Sequence, residues 1–314
     1  MLYNSKGLVA GLIIVGAGVL IWGISSQNTT DVNLAAAHVA VDSIEHESQN
    51  HIHGIGYDSQ ADRLFIATHF GLFMREDEQL YQVGSNRDDL MGFALNKRDP
   101  EVIYVSGHPR TGGNMGVRKS NDAGESFTTI SPGTNRGLAD FHALAVSYAD
   151  PDRLYGMFMG TVHRSSDAGF TWEEVQSTGA PLQDGFCWHV PCTAADTADP
   201  DRLYAGTLAG LAVSHDQGET WEIIDNDAGV VVSVGVDPQN NQRLIAFTEN
   251  HGLAISEDAG QTWQPRNNRL QLQEQELVLG FSFATNDSNH IYLMTNRDQV
   301  FKTENGGGDW QKVL

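Results

Sequence analysis

Imidazole and thioether side chains recur at two registers of this chain. The first register comprises His53, Met91, His142, His189, Val232 and Leu279, and the second His69, His108, Met159, Leu208, Glu249 and Asn296. In both, His and Met crowd into the earlier positions. His51 lies two residues before His53 and shares its face of an extended strand. Imidazoles with thioethers suit copper, because soft Met selects Cu(I) while imidazole serves both oxidation states; zinc is the competitor if only the histidines bind. The candidate metal ligands are therefore His51, His53, His69, Met91, His108, His142, Met159 and His189, of which one ion would use a subset. Cys187 and Cys192 flank His189. As thiolates they would strengthen a soft-metal site, and as a disulfide they would only shape it. Two other readings compete: hydrogen-bonded structural histidines shared by repeated units, and a polar mouth that binds a different ligand. Met standing in for His favours a ligand set, since a thioether is a poor hydrogen-bonding substitute for imidazole.

The registers exist because the chain repeats. The stretch S-S-D-A-G-F-T-W at Ser165–Trp172 returns as S-N-D-A-G-E-S-F at Ser120–Phe127, S-H-D-Q-G-E-T-W at Ser214–Trp221, S-E-D-A-G-Q-T-W at Ser256–Trp263 and a degraded T-E-N-G-G-G-D-W at Thr303–Trp310. In such a stretch the Asp or Asn can cap backbone N–H groups of a tight turn, the Gly allows positive φ, and the aromatic anchors the next strand. Apolar alternation runs in and out, as at Leu211 and Val213 before and Trp221 and Ile223 after, which predicts a hairpin tip. Upstream, a D-P turn followed by a strand recurs at Asp99–Tyr104, Asp150–Tyr155, Asp199–Tyr204 and Asp237–Ile245. This yields six units starting near residues 50, 89, 140, 186, 229 and 275, the first without the repeated stretch. Units of about 40 residues with four short strands predict an all-β, six-bladed β-propeller of four-stranded antiparallel blades. In an antiparallel blade the start of the first strand lies beside the end of the second. Both His/Met registers are then expected on one rim near the axis, with the hairpin tips on the opposite rim. Residues 37–44 could add a strand that helps close the ring.

The repeated stretches look like Asp boxes, and residues 50–314 resemble the Asp-box (BNR-repeat) propellers, a group that includes sialidases, sortilin-type receptors, xyloglucan hydrolases and a photosystem II assembly propeller. With H-x-H-G at His51–Gly54 and A-T-H-x-G-L at Ala67–Leu72, the chain is most similar to an exported bacterial branch labelled glycosyl hydrolase. The resemblance implies the fold and leaves activity open, because propellers host unrelated functions. A sialidase pattern would bring an R-I-P arginine, further carboxylate-binding arginines and a Tyr–Glu pair; the R-I-P motif is absent here. The recurrent arginines Arg63, Arg153, Arg202 and Arg243 share one repeat position before the second strand, which argues for a structural role.

Ahead of the repeats, Gly7–Ile24 is an uncharged apolar run just long enough to cross a bilayer, preceded by Lys6. The expected organisation is a cytoplasmic N-terminus at 1–6, an uncleaved transmembrane signal anchor at 7–24, a tether at 25–48 and the propeller at 49–314. The propeller would face the extracytoplasmic side, periplasmic or extracellular. A cleaved signal peptide is the alternative. A net charge of −21 argues against nucleic-acid partners and anionic membrane surfaces.

The sequence thus predicts a membrane-anchored propeller whose His/Met-lined mouth binds a transition metal, copper before zinc, for metal handling or protein assembly. A sialidase-like glycoside hydrolase and a metal-independent platform for a protein partner are the rival functions.

Overall fold

The Asp boxes fold into turns whose side chains replace backbone partners. In the box of Ser165–Trp172, Ser165 Oγ donates to Asp167 Oδ1 at 2.8 Å and accepts from Gly169 N at 2.9 Å. Asp167 accepts from Thr171 N at 2.8 Å and from the Thr171 hydroxyl at 2.6 Å. Ala168 and Gly169 both take positive φ, 57° and 86°, which is where the glycine is needed. The degraded last box keeps this scheme with exchanged chemistry: Asp309 N donates to Asn305 Oδ1 at 2.8 Å, and Asn305 Nδ2 to Asp309 Oδ2 at 3.0 Å.

The computed structural model describes residues 39–44, 51–179, 193–225, 227–266 and 270–314. Within these, the boxes join the third and fourth strands of antiparallel sheets arranged as six blades. Their innermost strands are Ile52–Asp58, Asp89–Leu95, Ala143–Val146, Thr193–Ala195, Val231–Asp237 and Val278–Phe283. Their second strands are Arg63–Thr68, Ile103–His108, Leu154–Phe158, Leu203–Thr207, Asn240–Thr248 and Ile291–Thr295. The expected all-β, six-bladed architecture is therefore present. Among the described residues there is no helix long and apolar enough to cross a membrane; the apolar run at 7–24 lies outside them, as do His189, Cys187 and Cys192.

Every blade is built from strands consecutive in the chain, so ring closure depends on contacts between blades. The additional strand forms at Val39–Val41, where it pairs with Gln79–Gln82 on the outer edge of blade 1. The ring itself closes through a cluster joining Tyr57, Leu64 and Ile66 of blade 1 to Tyr292, Met294 and Val300 of blade 6, with Tyr57 N donating to Ser282 Oγ at 2.9 Å. Innermost strands pack closely: a Cβ on Gly54 would stand 2.9 Å from Phe93 Cβ.

The repeated arginines are structural, as their shared position implied. Arg63 Nη2 lies 2.8 Å from Asp58, buried behind its own blade's turn, and 3.3 Å from Glu101 of the next blade. Arg153 likewise reaches Asp201 of the next blade at 3.4 Å. Arg243 holds Asp237 at 3.2 Å, and Arg202 lies 3.6 Å from buried Asp196.

Replacing Asp167 with Ala removes both bonds to Thr171 and is expected to cost about 1–3 kcal/mol. Urea unfolding of the propeller would show the loss, with Asp167→Asn retaining more stability than Asp167→Ala.

Candidate metal centre

A β-bulge at the entrance of the innermost strands explains the first His/Met register. Pairing slips between Ile52 and Gly54, Asp89 and Gly92, Val231 and Ser233, and Val278 and Gly280. The residues displaced from the ladder include His53, Met91, Val232 and Leu279, the register's own members. A bulge re-aims a side chain that regular pleating would hold in line. His142 immediately precedes its innermost strand. The second register falls at the turn after the second strand: His69 follows Arg63–Thr68, Met159 follows Leu154–Phe158, and His108 ends Ile103–His108.

These positions meet across blade boundaries. His53 Nε2 lies 3.3 Å from His69 Nδ1 and 3.5 Å from Asp89 Oδ1, while His69 Nδ1 lies 2.9 Å from Asp89 Oδ2. On the next blade, Asp140 Oδ2 stands 2.7 Å from His142 Nε2 and 3.0 Å from His108 Nε2, and the other nitrogen of His108 faces Gly113 O at 3.0 Å. His51 Nδ1 lies 3.0 Å from Asp298 Oδ2, and Asp298 Oδ1 accepts from Ile52 N at 2.8 Å. The His51 and His69 rings meet edge to face, centroids 5.4 Å apart.

Two groups therefore offer three donor atoms apiece within 4.8 Å of one another: His53, His69 and Asp89, and His108, Asp140 and His142. In each, one carboxylate oxygen, Asp89 Oδ1 or Asp140 Oδ1, is buried without a hydrogen-bond partner. Burial, and then the neighbouring rings of His69, His51 and His142, push His53 down to about 3. His53 is consequently neutral at physiological pH, the form that binds metals.

The aspartates are the residues that motif reading missed. Stepping two residues back from His53, Met91 and His142 gives His51, Asp89 and Asp140, a readable register whose partners become apparent only across blades. The donors assembled here are nitrogen and oxygen. Met159 is 73% exposed at a turn with φ of 50°. Met91 stands at the bulge two residues after Asp89. Of the other described histidines, His163 is buried against Phe141, His290 packs beside Tyr57 and Tyr292, His215 is exposed in its box, and His251 lies 3.8 Å from Asp227.

Comparison with known proteins agrees with the fold. The sortilin (neurotensin receptor 3) family profile matches residues 209–314. No curated protein sequence matches the chain. Among solved structures, an ancestral GH74 enzyme superposes with a TM-score of 0.56 at 16% identity over 88% of this chain and 40% of that one. The GH74 xyloglucanase from Xanthomonas campestris gives 0.55 at 16% over 86% and 55%. YCF48 bound to a D1 peptide gives 0.51 at 12% over 88% and 86%. The chain thus spans about half the length of the GH74 enzymes, and at these identities the shared property is the propeller.

The depressed His53 sets a pH dependence. The unfolded side chain takes up a proton near pH 6.5 and the folded one only near 3, so the metal-free fold loses stability as pH falls through that window, by up to about 1.4 kcal/mol per unit. Urea unfolding of chelator-treated protein across the window is expected to show this slope, and His53→Gln to flatten it.

Proposed function

We propose that this Asp-box propeller binds a divalent transition metal ion at His53, His69 and Asp89, with copper preferred and zinc second, and that it handles metal on the extracytoplasmic side of a membrane to which residues 7–24 anchor it. The observation that carries this reading is the convergence of two imidazoles, one of them held neutral, on a carboxylate whose buried Oδ1 lacks a hydrogen bond. The separations of 3.3 Å between the two imidazoles and 3.5 Å from His53 to Asp89 Oδ1 fit the group, since ligands about 2.0–2.1 Å from a tetrahedral ion stand about 3.3 Å apart, and the second carboxylate oxygen, Oδ2, lies 2.9 Å from His69. Partial exposure of His69 and Asp89 leaves a side of the site open for an exchangeable ligand.

The donor set refines the expected chemistry. Two nitrogens and one oxygen are borderline to hard, so they favour Cu(II) or Zn(II) over Cu(I), and the Irving–Williams order puts Cu(II) ahead. His108, Asp140 and His142 form a second donor group on the neighbouring blade. Its 2.7 Å contact, like the 2.9 Å contact of His69 with Asp89 in the first group, is hydrogen-bond length, so binding at either group requires the ion to displace a proton. His51 lies at the outer edge of the first group, 58% exposed, where an incoming ion would meet an imidazole before reaching the more buried His53.

Metal analysis of the purified propeller is the test. Near-stoichiometric copper or zinc is expected in the wild type, falling at least about tenfold in affinity in His53→Ala or Asp89→Asn, with Met159→Ala unchanged. No bound metal after dialysis against either ion would overturn the reading. Chelator-resistant hydrolysis of aryl glycosides would instead support the glycosidase reading that the GH74 neighbours suggest.

A further inference from the structure

The axial channel beneath the histidines contains a feature that metal binding does not use. It is a cavity of about 160 Å³ running from Gly54, next to His53, to Lys97, Tyr148, Thr197 and Pro238 at the box-side end. These end residues lie just past, or at the close of, the innermost strands of consecutive blades. Between them the walls are mostly apolar, including Phe93, Leu95, Val146, Val236 and Phe281, with Ser282 among them.

Lys97 is the charged group lining this cavity among the described residues. Its Nζ reaches past blade 1 to donate to Phe283 O of blade 6 at 2.6 Å. An ammonium has three donors, and no other protein acceptor for Lys97 occurs among the described residues, nor does a salt bridge to a carboxylate. The nearest acidic influence, Asp237, is committed to Arg243 at 3.2 Å. Burial draws the Lys97 ammonium down to about 8, so it remains largely protonated at neutral pH. With one protein acceptor, the partly buried Lys97 ammonium keeps two donors for an anion that enters the cavity.

We propose that the axial channel is a binding site for a short aliphatic carboxylate, its head group on Lys97 and its tail along Phe93, Leu95 and Val146. The ligand class follows from the shape and polarity of the cavity: one cationic end, an apolar stem, and room for only a few non-hydrogen atoms beyond the head. The site is separate from the histidine groups and stands whether or not they bind metal.

The experiment uses chelator-treated propeller, so that the metal centre takes no part. Thermal unfolding is followed against acetate, butyrate and hexanoate at constant ionic strength, with chloride as the reference anion, for wild type and Lys97→Met. The expected result is a saturable rise in Tm that grows from acetate to butyrate and is absent in Lys97→Met. An equal rise in both proteins, or no rise beyond chloride in the wild type, would overturn the proposal. If Lys97→Met fails to fold, amine acetylation of the wild type decides. Butyrate at about twice its Kd should slow Lys97 labelling about threefold while leaving Lys119, Lys302 and Lys312 unchanged, as read by peptide mass spectrometry. Unchanged labelling of Lys97 would refute the site.

Discussion

Ring closure between complete blades is the constraint on which the rest of this structure depends. Each sheet is made of consecutive strands, so backbone pairing stabilises a blade and leaves its neighbours to be joined by side chains. One joint recurs on the mouth rim. The turn after a blade's second strand meets the entrance of the next blade's innermost strand: Asp298 with His51, His69 with Asp89, and His108 with Asp140. The polarity reverses after the first joint, acid then imidazole becoming imidazole then acid. On the opposite rim, the Arg63–Glu101 and Arg153–Asp201 pairs join blades. Exposed pairs of this kind contribute little individually, and their geometric effect is to fix how adjacent blades approach.

The same joint creates the candidate chemistry. A His–Asp contact alone would suffice to hold two blades, and the 6–1 joint contains little more. At the 1–2 joint the bulge adds His53, turning a pair into a group of three donors, and at the 2–3 joint His142 does so two residues after Asp140. Burial then distinguishes the two groups. His53 is held neutral among other imidazoles, while the carboxylate of each group has an oxygen without a hydrogen-bond partner, which a closing contact does not require and a cation would satisfy. At Asp140 one oxygen already serves two imidazoles, so the local hydrogen bonds are stronger competitors for the site.

The axis presents the opposite environment. Glycines such as Gly54 and Gly56 let innermost strands pack against Phe93 and Leu95, and the tube that remains is mostly apolar, with Lys97 as its charged group among the described residues. A chain with net charge −21 thus keeps imidazoles at one end of its axis and an amine towards the other. Both lie close to apolar walls, where electrostatic interactions are less screened than on the acidic exterior.

The sequence by itself determined the propeller, because its signals are local. Box residues bond within five positions of one another, as Ser165, Asp167 and Thr171 do, and strand alternation is read along a single segment, so blade number and strand order were legible without tertiary information. It also identified the two registers and the rim they share, since antiparallel pairing within one blade settles that. Which residues meet was decided only by the tertiary structure. His69 and Asp89 belong to different blades, and their 2.9 Å contact depends on the angle between sheets, which no local pattern encodes. For the same reason the aspartates that join the imidazoles went unread in the sequence. Met91 stands at a bulge and Met159 at an exposed turn, as their registers placed them, while the carboxylates reach the imidazoles of another blade only once the sheets are set at their angle.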